Sequence, residues 1–440
     1  MKIVYAVHHL PPRYTGGAEN RARRTARWFQ SHGHATVAIC VEAIDCGEPP
    51  CADSVDDGVF TRRLFFDRSA ASDPARWEYD NPLIGQRIAE LLAEQRPDVF
   101  HLISGYLMTA SAIRAAHAAG VPIVITLTDF WFLCPRITLL RSDGSLCPAP
   151  PADPLGCVRC MAEEQRRFRL PAQAMPALAP SAWRMMRPIV PAIKARARSI
   201  EARRSTLSAA LALASFLICP SHFLRARFIE SGVAPDRLIP MRQGLGIPSR
   251  LPPRRSNGLR PVIGYSGQIK AHKGVDLLID AASALAARGY RFTMAIYGNQ
   301  DEEPAYTHSL KQRIGNADWI EWRGTYGADQ VWDVLAGLDA LVVPSRWYEN
   351  SPNVILEAHV MGVPVIAANL GGMAELVHHD SDGLLFNVND AHDLARQLAR
   401  VLDEPSLLNR LCANAPPVKT LDQEMAEVHD VYQRAIEPRQ

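Results

Sequence analysis

The chain has 440 residues, 48% apolar and 21% charged, roughly three times a domain length of about 150, which excludes peptide, fibrous and low-complexity classes. Lys and Arg number 48 against 46 Asp and Glu, a formal charge of +2, which argues against a dedicated nucleic-acid binder. The opening apolar run Ile3 to Val7 is far shorter than a secretory core of about 7–15 residues, and Leu207 to Cys219 falls short of the about 20 residues a membrane span needs. Nine cysteines, an odd number, fit a reducing compartment better than a disulfide framework, so a cytoplasmic location is expected.

In chain order, Ile3–Val7 is predicted as a strand, followed by a loop with Gly16-Gly17, a helix from Ala18 to about Ser31 and a strand Ala35–Val41. Ala18, Ala22, Ala26 and Phe29 share one helical face, while Arg21, Arg24 and Arg27 are predicted to point elsewhere. A helix over Arg87–Glu94, a strand Val99–Ile103, a helix 109–119 and a strand Val121–Thr126 follow. Between about 134 and 205 the periodicity fails, and this segment is read as an insertion. Phe216–Cys219 resumes as a strand, with a helix from His222 to Ser231. The proline-rich segment 248–261, with a Ser-Asn-Gly turn, is the predicted linker.

Beyond it the pattern restarts: strand Val262–Tyr265, helix Val275–Ala287, strand Phe292–Tyr297, helix 329–336, strand Ala340–Val343, helix Asn353–Met361 and strand Val365–Ala368. Strands alternating with helices twice over predict an α/β protein of two doubly wound Rossmann-like domains facing a cleft. The expected division is residues 1–247, a linker 248–261, 262–415, and a C-terminal helix 416–440 returning to the first domain.

The segment Glu349-Asn350-Ser351-Pro352-Asn353-Val354-Ile355-Leu356-Glu357 carries the chemistry. Ser351 is expected to cap a helix that begins at Pro352, with Glu349 just ahead of it and Glu357 about one and a half turns inside. A helix start with free N–H groups suits a phosphate, and a carboxylate at either end suits sugar hydroxyls.

Glu349-x7-Glu357 resembles the paired-glutamate motif of the family 4 retaining glycosyltransferases (glycosyl transferases group 1) of GT-B fold. The segments Gly267–Gly274, Asp339–Ser345, Gly362–Val365 and Gly371–Glu375 resemble further motifs of that family in the expected order, and Gly16-Gly17-Ala18-Glu19 resembles its first glycine loop. The resemblance implies transfer of a hexose from a nucleotide-diphosphate-sugar to a glycan or lipid-linked acceptor, with retention of configuration, in cell-surface polysaccharide or glycolipid synthesis. It implies Glu349 and Lys273 as catalytic residues, with Lys273 on the pyrophosphate and Glu349 on the donor sugar. Gly16, Gly17, Gly267, Gln268, Asn353 and Glu357 bind the donor, Glu357 at the ribose. No cofactor is expected for transfer.

Two positions depart from the family pattern. Gln268 stands where an arginine is usual, so Lys273 and the helix dipole must carry the phosphate charge. Thr128 stands where a histidine usually precedes Asp129, and His101 is either a substitute on the acceptor side with Asp129 or a structural histidine at the end of its strand. A nicotinamide-dependent oxidoreductase would want G-x-G-x-x-G after the first strand, and only Gly16-Gly17 is present. A silent carbohydrate-binding protein would be expected to lack Glu349 or Lys273.

Cys134, Cys147, Cys157 and Cys160 are candidate ligands for a structural Zn²⁺, against the alternative of four buried thiols. Met161 to Ser205 holds ten Arg and Lys against three Glu, a local +7 that leaves about −5 elsewhere. Interspersed with apolar residues, this stretch reads either as a surface for an anionic, peripheral membrane partner or as a solvated basic insertion; nucleic acid is not the expected partner.

Overall fold

Short runs of Ile, Val, Leu and Ala, buried on both faces as parallel strands require, nucleate two separate sheets. A computed structural model describes residues 1–14, 16–255 and 260–437. The chain divides into two units, one of Met1–Pro220, Leu224–Met241 and the segment from Glu424 onward, the other of Ser221–Phe223 and Arg242–Gln423. The Ser256-Asn257-Gly258 turn of the predicted linker and the last three residues of the predicted C-terminal helix lie outside the described residues.

The first unit holds eight strands: β1 (Lys2–Val7), β2 (Ala35–Ala43), β3 (Asp45–Asp56), β4 (Val59–Asp67), β5 (Val99–Ile103), β6 (Ile123–Thr126), β7 (Phe216–Cys219) and β8 (Leu238–Pro240). They lie in the order β3-β4-β2-β1-β5-β6-β7-β8, parallel except where β3 runs against β4. β3 was not expected. Its sequence DCGEPPCADSVD has no apolar alternation, and as an edge strand with two prolines it tolerates what a central strand could not.

The helix Gly17–Ser31 packs on β1 and β2, burying Ala22, Ala26 and Phe29. Arg21 corrects the sequence reading. It is buried on this helix and donates to Glu424 at 2.5 Å on the helix Leu421–Ile436. Arg24 lies 3.5 Å from the same carboxylate. Removing one partner of such a buried pair costs about 3–5 kcal/mol, because the other charge stays desolvated.

The insertion is helical rather than irregular. Helices span Leu155–Ala162, Arg166–Ala174, Ala179–Ile189 and Pro191–Leu213, and Pro171 and Pro188 inside two of them hide the period from the sequence. A local core of Leu155, Val158, Trp183, Ala197 and Ile200 holds them together. Arg203 fastens the long helix to the strand-end segment: its guanidinium donates to the Trp131 carbonyl and lies 5.1 Å from that indole's centroid.

The second unit holds β9 (Val262–Ser266), β10 (Thr293–Tyr297), β11 (Ile320–Gly324), β12 (Ala340–Val343), β13 (Val365–Ala368) and β14 (Gly383–Phe386). Their order is β11-β10-β9-β12-β13-β14, and all pairs are parallel. The chain leaves β9 toward β10 on one side and returns to β12 on the other, so the topological switch point lies between β9 and β12. In such sheets ligands bind beyond the carboxyl ends of the strands at that point.

Candidate active site

The loops that follow β9 and β12 meet at the switch point of the second unit. Lys273 closes the first loop and Glu349 lies in the second; Nζ of Lys273 donates to Oε1 of Glu349 at 2.6 Å. The same oxygen accepts from Ser345 Oγ at 2.9 Å and from Trp347 Nε1 at 2.8 Å. Among the described residues all of these bonds fall on Oε1, which leaves Oε2 for a ligand. Burial alone would raise the Glu349 carboxyl, but Lys273, Ser345 and Trp347 outweigh it and hold the group below its ordinary value. A carboxylate with a lowered folded pKa is fully stabilised above its unfolded value of about 4.3 and loses that contribution only as pH falls through the lower value.

The indole of Trp347 backs the pair. Lys273 Nζ lies 5.0 Å from its centroid, and the His272 ring meets it edge-on at 5.5 Å. Burial and the adjacent Lys273 push His272 down to about 4, so it is neutral at pH 7.

Two glycines make this approach of loops possible. Gly274 has φ +75°, and a Cβ there would collide with the Pro344 carbonyl oxygen. A Cβ on Gly372 would collide with the Asn350 carbonyl, and the Gly372 N–H donates to the Glu349 carbonyl at 2.7 Å.

The helix beside Glu349 spans Asn353–Val360 with Pro352 as its cap and no side-chain capping bond. Ser351 is therefore not the cap, contrary to expectation, and its buried hydroxyl has no hydrogen-bond partner among the described residues. Glu357 is the fifth helical residue, about one turn in. The Asn353 side-chain oxygen accepts from Gln243, which leaves its amide nitrogen as the donor. Gln268 is engaged too, donating to Glu302 at 2.7 Å, a carboxylate it shares with Lys270 at 2.7 Å. The Gly267 N–H donates to the Tyr297 carbonyl at 3.1 Å, tying the ends of β9 and β10. There Tyr326 bonds Ser266 at 2.6 Å and meets Tyr297 edge-on at 5.6 Å. Its hydroxyl is raised by burial and by the charge of nearby Glu357.

In the first unit Gly16 precedes the helix that opens at Gly17. Within that helix Glu19 lies 3.2 Å from His8 Nε2, while His8 Nδ1 is buried with no hydrogen-bond partner among the described residues. The His8 ring meets Tyr106 at 5.6 Å. After β5, Ser104, Leu107 and Thr109 all take positive φ, 67°, 58° and 62°, a local strain of the kind that clusters at functional sites. Asp129 borders this loop: its carboxylate accepts from Ser104 at 3.3 Å, from Thr128 at 3.0 Å and from the Trp131 N–H at 2.8 Å.

His101 takes the structural one of its two alternatives. It is buried in β5, with Nδ1 2.6 Å from Tyr432 Oη and Nε2 2.8 Å from Thr126 Oγ1, so neither nitrogen remains for an acceptor. Burial, reinforced by the positive Arg21, lowers its pKa to about 3. A histidine that titrates near 6.5 unfolded thus stabilises fully above that pH and progressively less between about 6.5 and 3. Acidification from pH 7 to 5 is expected to cost about 2 kcal/mol through this group. Thermal unfolding at pH 7, 6 and 5 checks it: His101→Gln starts lower but loses less on acidification, and identical slopes for both proteins would contradict the assignment.

The four cysteines line one cavity of about 550 Å³ within the insertion. Of the two alternatives the zinc cage is not formed: among the described residues no three His, Cys, Asp or Glu side chains are placed to hold one metal ion, while Cys134, Cys147 and Cys157 are buried and Cys160 is half-buried. Local partners take the thiols instead, with Cys147 Sγ 3.1 Å from the Ala149 carbonyl and Cys157 Sγ accepting from Arg204 at 3.3 Å. Burial raises the Cys134, Cys147 and Cys157 thiols, favouring the neutral form.

Comparison with known proteins accords with this architecture. The family "Glycosyl transferase 4-like domain" matches residues 16–244 and "Glycosyl transferases group 1" matches 252–417. D-inositol 3-phosphate glycosyltransferase 2 of Catenulispora acidiphila is 32% identical over 198 residues, 42% of this chain and 46% of that protein. Alpha-D-kanosaminyltransferase of Streptomyces kanamyceticus is 30% identical over 159 residues, 36% of this chain and 41% of that protein. The chain thus spans less than half the length of these relatives. Anabaena Alr3699/HepE, solved in complex with UDP, superimposes with a TM-score of 0.65 at 17% identity over 99% of this chain and all of that one. WaaG, a glycosyltransferase of lipopolysaccharide biosynthesis, does so with a TM-score of 0.58 at 15% identity over 98% and 99%. With one family model over more than half its length and a second over most of the remainder, the chain belongs to the group 1 glycosyltransferases.

Proposed function

We propose that the chain transfers a hexose from a nucleotide-diphosphate-sugar to a glycan or lipid-linked acceptor with retention of configuration. The observation that carries this is the Lys273–Glu349 pair, 2.6 Å apart at the switch point of the second sheet. A diphosphate at this helix start draws Lys273 from Glu349, and the ammonium then neutralises charge on the departing nucleoside diphosphate. Glu349 Oε2 accepts hydrogen bonds from the donor sugar, and Glu357 with Tyr326 borders the ribose. The family resemblance assigns Gly16 and Gly17 to the donor, as residues that allow close backbone approach, and Asp129 to the acceptor side. The HepE structure holds UDP, which supports a uridine nucleotide as the first donor to try. No protein nucleophile is assigned: on the retained face the leaving phosphate oxygen takes the acceptor proton. The reaction serves cell-surface polysaccharide or glycolipid synthesis and runs in the cytoplasm, at the inner membrane face for lipid-linked acceptors.

The test is turnover of UDP-, GDP- and ADP-sugars by the purified chain, following nucleoside diphosphate release with and without membrane glycolipid extract, and the product anomer by NMR. Release from one nucleotide class with a retained anomer is expected. An inverted anomer would overturn retention, and no release from any donor would overturn the activity.

A further inference from the structure

We infer that the helices Arg166–Ala174 and Ala179–Ile189, with the turn between them, form a docking surface for an anionic lipid bilayer. Of the eight large apolar side chains exposed among the described residues, five lie here: Leu170 at 50%, Met175 at 54%, Leu178 at 61%, Met185 at 72% and Ile189 at 76%. Leu178, Ala182, Met185 and Ile189 recur at steps of four, three and four, which aligns them on one face of a helix. Other side chains of the two helices are occupied: Trp183 is buried in the insertion's local core, with Phe168 packed against it at 5.7 Å. The exposed stripe is therefore surplus to the packing of these helices, and exposed apolar groups gathered in one patch mark an interaction surface.

Charge selects the occupant. Residues 165–200 carry seven arginines and Lys194 and contain no Asp or Glu. Arg187 reaches Asp153 at 3.3 Å and Arg196 reaches Glu78 at 3.9 Å. Among the described residues Arg166, Arg169, Arg184, Lys194 and Arg198 have no carboxylate within ion-pairing distance. An apolar stripe edged by uncompensated cations is complementary to acyl chains beneath phosphate headgroups, the pattern of a helix lying in a membrane interface. Among the described residues no helix is long and apolar enough to cross a membrane, so these two helices lie on the bilayer rather than spanning it. This deepens the lipid-linked reading of the acceptor, but it rests on a surface whose residues take no part in the donor site.

The experiment is sedimentation of the full chain with phosphatidylcholine vesicles, with and without phosphatidylglycerol, at low and high salt. Binding to the anionic vesicles at low salt, released by high salt, is the expected result. Met185→Asp with Ile189→Asp abolishes it, and Arg166→Ala with Arg184→Ala weakens it about fivefold for each arginine. Melting temperature and nucleotide binding stay unchanged, which separates failure here from failure of the donor site. Absence of binding at low salt, or binding indifferent to both double variants, would overturn the inference. So would a concentration-dependent dimer lost in Met185→Asp with Ile189→Asp without any lipid binding, which would assign the stripe to a second copy of the chain.

Discussion

Replacing Glu349 by glutamine is expected to lower sugar transfer by about 10²–10³-fold while leaving the fold intact. The substitution keeps side-chain volume and an oxygen for Lys273, Ser345 and Trp347, the three groups gathered on Oε1, so packing around the indole is preserved. What changes is the other end of the carboxylate. Oε2 becomes an amide N–H₂, a donor facing sugar hydroxyls that need an acceptor, and the negative charge opposite the developing positive centre on the sugar is lost. Steady-state transfer by wild type and Glu349→Gln, with thermal melts of both, checks this. Turnover within a few-fold of wild type would remove Glu349 from the chemistry.

The second large effect is expected at Lys273. Lys273→Met retains a flexible apolar stem beside Trp347, whose ring centroid lies 5.0 Å from the ammonium, but removes the charge. With Gln268 already engaged by Glu302, Lys273 is the cation that the proposed reading assigns to the pyrophosphate. Loss of charge at the leaving group is expected to lower kcat by about 10²–10³-fold and to weaken the nucleoside diphosphate as well. Lys273→Arg is not expected to rescue, because a planar fork does not fit where a compact ammonium is held between a carboxylate and an indole. A raised KM with unchanged kcat would place Lys273 in binding alone.

Much of the second unit was legible in the sequence because its strands are short, apolar and bounded by glycines, and because the eight-residue spacing of Glu349 and Glu357 straddles a helix start. The supporting groups were not. Ser345 and Trp347 act through a loop whose path depends on Gly274 and Gly372 clearing the Pro344 and Asn350 carbonyls, which spacing alone does not reveal. Ser351 and Pro352 read as cap and first helical residue, yet Pro352 is the cap, since local preference fixes a helix start only to within a residue.

The first unit was harder. Arg21 falls off the alanine face and reads as solvated; it is buried because Glu424, 403 residues further on, provides a partner. His101 reads as a strand-end residue, either structural or open to an acceptor, and Tyr432, 331 residues further on, seals its Nδ1. The His8–Glu19 contact carried one signal, a histidine at the end of the first strand and an acid in the first helical turn. Nothing in the sequence marked the positive φ at Ser104, Leu107 and Thr109, because none of the three is glycine. In the insertion, prolines within helices masked the period while the exposed stripe and the uncompensated arginines remained readable as composition.

In the proposed reading Lys273 meets the diphosphate of a nucleotide-sugar donor while Glu349 takes its sugar. Calorimetric titration of the full chain with UDP, GDP and ADP, repeated on Lys273→Met, tests it most directly. One nucleoside diphosphate is expected to bind wild type and to bind the variant at least about tenfold more weakly, the loss of one charge-assisted contact. Heat from none of the three, or affinity unchanged by Lys273→Met, would contradict it.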